Sequence, residues 1–135
     1  MVPFAFTTPI EIRFADLDAY GHVNNALFFT YLETARIKLF QKYFGAFLDS
    51  SLLFLVVRAE CDYRVPILLN DTLLISLQVE NLKYTSFTFS YRLHDGNGRE
   101  YATARTVMVA YDPAAKKPAA LPALIRETFA PSATV

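Results

Sequence analysis

The chain has 135 residues, enough for one well-buried core and too few for two ordinary domains. Its 13 basic and 13 acidic residues balance without a Lys/Arg run, which excludes the electrostatic footprint of a nucleic-acid binder. Hydrophobic residues at 53% against charged residues at 19% are more than a monomer this small can hide, so burial between the subunits of an oligomer is expected.

In chain order, Met1 to Ala5 carries no basic region ahead of an apolar run, so no signal peptide is expected. Ile10 to Phe14 alternates apolar and polar residues and predicts a short strand. Asp16 to Asn25 has the Asp, Asn and Gly content of turns and caps. From Ala26 to Phe44 the period becomes helical, with Phe28, Leu32, Ala35, Leu39 and Tyr43 on one apolar face. Asn24 or Asn25 is the predicted N-cap, and Gly45 the left-handed residue that ends the helix. Lys38 and Lys42 suit its negative end.

Strands follow. The longest apolar stretch, Leu52 to Val57, is far too short to span a bilayer. It runs into the strand predicted at Phe54 to Arg64, whose Cys61 is the only cysteine in the chain. That excludes an internal disulfide and a multi-cysteine metal site, and a cytoplasmic protein without metal or cofactor is expected. Thr72 to Val79 and Ser86 to Leu93 alternate cleanly, Asp95-Gly96-Asn97-Gly98 makes a hairpin turn, and Arg99 to Tyr111 forms the last strand. Small Ala102, Ala104 and Ala110 on that strand leave room for a helix to pack closely. The proline-rich segment 113–135 is predicted as a surface tail with a short helix around Ala123 to Thr128. The order β-α-β-β-β-β predicts a single α+β domain over 1–135, one long helix on an antiparallel sheet.

The stretch most suited to chemistry is Asp16-Leu17-Asp18-Ala19-Tyr20-Gly21-His22-Val23-Asn24-Asn25. It sets carboxylates just ahead of a helix start, where unpaired N–H groups can hold a developing oxyanion. This run, with Tyr31-Leu32-Glu33-Thr34-Ala35-Arg36 on the helix, resembles the 4-hydroxybenzoyl-CoA thioesterase family of the hotdog superfamily. The likeness continues through Ser86-Phe87 with Tyr91, Ala102 to Thr106, Lys117-Pro118 and Leu121-Pro122.

The resemblance implies a hotdog fold and a dimer with active sites at the subunit interface, often paired into a homotetramer. It implies acyl-CoA thioester hydrolysis with Asp18 as the catalytic carboxylate and the backbone N–H at or near Asn25 polarising the carbonyl. Tyr20, Gly21, His22, Val23 and Phe28 are then expected about the substrate. Lys83 and Ser86 stand where the family binds the CoA phosphates, with acyl carrier protein as an alternative donor. Glu33 lies nine residues beyond Asn24, the offset of the catalytic acid in a second hotdog class whose helix opens on H-G-G, here Asn24-Asn25-Ala26. The competing reading pairs Glu33 with Arg13 or Arg36. Acyl-thioester hydration would need a helix histidine, and none occurs between Asn25 and Gly45. A non-catalytic acyl-thioester-binding protein is the remaining alternative.

Overall fold

The computed structural model describes residues 4–45 and 51–133. Residues 1–3, read above for a leader, and the last two of the predicted tail lie outside it. The long helix α1 spans Asn25–Phe44, and Asn24 is its N-cap, its side chain accepting from the Ala26 N–H at 3.0 Å. The helix buries Phe28, Tyr31, Leu32, Ala35, Leu39, Phe40 and Phe44. Its apolar face therefore ends on Phe44 and not on Tyr43, which stays 38% exposed. Gly45 keeps right-handed helical angles, so the expected left-handed cap is absent. Lys38 instead ties the helix to the sheet, donating to the Pro9 carbonyl at 3.0 Å.

Around the helix lie β1 (Ala5–Pro9), β2 (Leu53–Tyr63), β3 (Leu74–Glu80), β4 (Ser86–His94), β5 (Glu100–Asp112) and the two-residue β6 (Lys117–Pro118). The sheet is antiparallel in the order β1-β3-β4-β5-β2, with β6 on β5. Its inner face is the alternating set Ile75, Leu77, Val79, Phe87, Phe89, Tyr91 and Leu93, all buried. Ala102, Ala104 and Ala110 belong to the same core cluster as Leu32, Ala35 and Leu39 of α1. This is the α+β arrangement of the hotdog fold, one long helix against one antiparallel sheet.

The first strand lies five residues earlier than predicted. Residues 5–9 pair with β3 from Ala5↔Gln78 to Pro9↔Leu74. Pro9 is tolerated because it ends an edge strand and needs no N–H there. The alternation at 10–14 has another cause: Ile10 is buried, while the Arg13 N–H is taken by Asp16 Oδ2 at 3.1 Å and a 3₁₀ turn follows at Phe14–Asp16. The Asp95 to Gly98 turn forms as expected, Asp95 Oδ1 accepting from Asn97 and Arg99 N–H. Gly96 has φ +76°, and an added Cβ would lie 2.9 Å from Leu74 Cδ1.

The C-terminal segment is more than a surface tail. It forms α2 (Ala123–Ala133), longer than predicted, and inserts Leu121, Ile125 and Phe129 into the core. The spacing 121, 125, 129 is helical, and the prolines around it conceal that period in the sequence.

Candidate active site

Residues 17–23 form a small hairpin ahead of α1. Leu17 bridges Val23, the Asp18 N–H donates to the His22 carbonyl at 2.7 Å, and the Gly21 N–H donates to the Asp18 carbonyl at 3.1 Å. Gly21 has φ +81°, and nothing lies within 4 Å of where its Cβ would sit. Glycine is therefore needed there for the backbone alone. Asp18 is the residue that shapes the turn. Its Oδ1 accepts from the Tyr20 N–H at 2.9 Å and the His22 N–H at 3.3 Å. No described residue bonds Oδ2, so the carboxylate is oriented by one oxygen and keeps the other free.

The helix start is equally selective. Asn24 takes two first-turn donors, Ala26 N–H on its side chain and Leu27 N–H on its carbonyl at 2.9 Å. The Asn25 N–H has no acceptor among the described residues. It is the orphan donor at the positive end of a 20-residue helix. Asp18 and Asn25 line one cleft of about 490 Å³, with Tyr20, His22, Val23, Asn24, Phe28, Tyr63, Arg64, Val65 and Pro66. Gly21 belongs to the turn beside it.

Asp16 holds the hairpin on the protein. It is 1% exposed and accepts from Tyr31 OH at 2.8 Å and from the Arg13 guanidinium at 2.9 Å, while its carbonyl accepts from the Asn24 N–H. Burial pushes its carboxyl up, but the Arg13 and Tyr31 hydrogen bonds outweigh that and hold it below the ordinary Asp range. Burial and the Asp16 carboxylate raise the Tyr31 phenol far above its usual range. Since the folded value for Asp16 lies below the unfolded one, its stabilisation is present above the ordinary Asp range and is lost as pH falls through the folded value. Asp16→Ala orphans the buried Tyr31 hydroxyl and is expected to destabilise by about 1–3 kcal/mol, read from urea midpoints.

The other predicted residues stand elsewhere. Glu33 is exposed on α1 and lines a separate, largely apolar cleft of about 510 Å³ with Ile37, Phe40 and Leu53 to Val56. The ion pair read for it does not form: Arg13 bonds Asp16, and Arg36 donates to Tyr91 OH at 3.2 Å. Lys83 sits in the β3–β4 turn, where its N–H donates to the Ser86 carbonyl at 2.8 Å. Ser86 pairs with Val109 and Tyr63 with Ala102, so this turn and the Asp18 cleft occupy opposite ends of β5. At the rise of a strand they are roughly 20 Å apart.

Sequence reading missed Tyr63, Val65 and Pro66 as cleft residues, because only the tertiary fold brings the end of β2 to the start of α1. Arg64 also lines the cleft, although its guanidinium donates to Thr103 Oγ1 at 3.3 Å. Two rival nucleophiles are poorly placed. Burial raises the Cys61 thiol above its usual value. His94 Nε2 meets Ser76 Oγ at 2.8 Å, but Nδ1 accepts from the Gly96 N–H, which puts the ring proton of the neutral form on Nε2. The imidazole is then a donor to Ser76 and not its base.

Among the described residues no group of three or more His, Cys, Asp or Glu is placed to hold a metal ion, and no helix is long and apolar enough to cross a membrane. The chain is 28% identical over 127 residues to the acyl-CoA thioester hydrolase YbgC of Escherichia coli O6:H1, covering 92% of this chain and 95% of that one. It is 32% identical over 123 residues to the long-chain acyl-CoA thioesterase FadM of Escherichia coli K12, covering 89% and 93%. A thioesterase from Thermus thermophilus, solved with coenzyme A and Zn, matches at TM-score 0.80 and 36% identity over 93% of this chain and 92% of that one. The sequence matches the thioesterase-like superfamily over residues 12–129, and the chain belongs to that family as a hotdog-fold thioester hydrolase.

Proposed function

We propose that the protein hydrolyses an acyl-CoA thioester to the free acid and CoA, using Asp18 and the Asn25 N–H. The observation that carries this is their shared cleft, in which the open Oδ2 of Asp18 and the orphan N–H of Asn25 both stand available. With the thioester carbonyl oxygen on the Asn25 N–H, the helix end stabilises the negative charge that develops there. Asp18 then attacks the carbonyl carbon to give a mixed anhydride that water hydrolyses, freeing the carboxylate, or it removes a proton from a water that attacks the carbon directly. Either way the C–S bond breaks, the CoA thiolate leaves, and the oxygen and protons of one water are divided between acid and thiol.

Apolar Val23, Phe28, Val65 and Pro66 give the acyl group an apolar wall, the first two buried, with Tyr20 at the exposed side. Lys83, at the far end of the sheet, suits the CoA phosphates, which are separated from the thioester by the whole pantetheine arm. A panel of short, long and aromatic acyl-CoAs, with free thiol detected, tests the reading. Thiol release above the uncatalysed rate is expected for at least one class, and its absence from all would overturn the assignment.

A second copy of the chain completes the assembly in this reading. β2 pairs only with β5 among the described strands, and Leu53, Leu55, Val56 and Val57 stand exposed on it, Val57 at 61% beside a bulge. Such an uncovered apolar edge strand invites pairing. Light scattering is expected to give at least twice the chain mass, and a monomer at micromolar concentration would contradict it.

A further inference from the structure

We infer that Tyr63 is a positioning residue for this reaction, holding the start of α1 at the height where the Asn25 N–H meets the substrate carbonyl. The inference rests on the Asp18–Asn25 reading above and adds a residue from the other side of the cleft. Tyr63 is the last residue of β2, and its hydroxyl donates to the Asn25 carbonyl at 3.0 Å. Its ring meets Phe28 edge-on, with centroids 4.9 Å apart at 70°. One side chain therefore fastens the end of a sheet strand to the first turn of the helix through both a hydrogen bond and a ring contact.

The other restraints on that turn are the Asn24 cap, whose side chain accepts from the Ala26 N–H, and backbone bonds. The Val23 N–H donates to the Ile67 carbonyl and the Asn24 N–H to the Asp16 carbonyl, both before the helix begins. Within α1 itself, Asn25 is held from outside only by Tyr63 among the described residues. The helix already offers the Asn25 carbonyl the N–H one turn on, so the Tyr63 bond is not needed to form the helix. What it fixes is where the first residue sits relative to the end of β2, which lines the same cleft as Asp18 and Asn25. Burial raises the Tyr63 phenol further above neutrality, so the hydroxyl remains a donor through the working pH range.

Tyr63→Phe removes the bond and keeps the ring on Phe28. A displacement of a few tenths of an ångström is expected to lower kcat by roughly 5- to 20-fold, given that a full ångström costs about 10²-fold. KM should stay within about twofold, because the bond is made to the protein and not to the substrate. Thermal melts should differ by no more than a few degrees. Unchanged kcat, or a raised KM with unchanged kcat, would overturn the inference; so would a melt lowered by ten degrees, which would assign the residue to folding. Asp18→Asn assayed beside it distinguishes a failed positioning role from a misassigned site. If that variant is inactive while Tyr63→Phe matches wild type, only the positioning role fails. If Asp18→Asn turns over normally, the site itself is misassigned and the role of Tyr63 falls with it.

Discussion

Asp18→Asn is expected to lower turnover of the preferred acyl-CoA by about 10³-fold, within the range that a positioned base or nucleophile contributes. The substitution isolates chemistry from structure. Asparagine keeps an Oδ1 that can accept from the Tyr20 and His22 N–H groups, so the turn retains its hydrogen bonds. What changes is Oδ2, which carries no bond from any described residue and becomes an NH₂ that can neither attack nor take a proton. Stability should move by no more than about 1 kcal/mol, measured by urea unfolding. Glu33→Gln assayed in parallel is expected to lose much less, since Glu33 lies outside the Asp18 cleft in the chain. The reverse ranking would transfer the chemistry to the helix carboxylate.

The largest stability loss is expected from Phe129→Ala, at about 3–5 kcal/mol. Phe129 is fully buried, with ring centroids 5.0 Å from Phe4, 5.6 Å from Phe44, 5.2 Å from Phe87 and 5.9 Å from Phe89. Truncation would empty the junction of α1, α2 and β4, where rings packed edge-on and tilted collapse poorly into a void. Against a usual total of about 5–15 kcal/mol this is a substantial share. No residue of α2 lines the Asp18 cleft, so the folded fraction should keep near-normal kcat. A shift in urea midpoint corresponding to less than about 1 kcal/mol would return the C-terminal segment to the role of a dispensable tail.

Much of the fold can be read from pattern. The helical period from Phe28 to Leu39, the alternation Phe87-Phe89-Tyr91-Leu93 and the Asp95 to Gly98 turn each follow from local geometry, and each forms where its residues place it. The errors arise where two local signals compete. Ile10-Glu11-Ile12 alternates like a strand, yet the Asp16 side chain takes the Arg13 N–H and the pairing falls on Phe6-Thr7-Thr8, whose threonines blur the alternation. Tyr43 and Phe44 are both aromatic, and only the position of α2 decides that Phe44 goes inside.

The site divides along the same line. Asp18 and Asn25 are close in sequence, and a recognisable run of residues carries both. Tyr63 is 38 residues from Asn25, and no spacing rule connects them; the link exists only once the end of β2 meets the helix. Glu33 stands about 12 Å along α1 from Asn25 at the rise of a helix, and there it lines a different cleft.

The decisive measurement is a crystal structure of Asp18→Asn with an intact acyl-CoA. The thioester oxygen should lie about 3 Å from the Asn25 N–H, with residue 18 facing the carbonyl carbon. A well-ordered acyl-CoA whose carbonyl sits beside Glu33, leaving the first N–H of α1 unengaged, would contradict it.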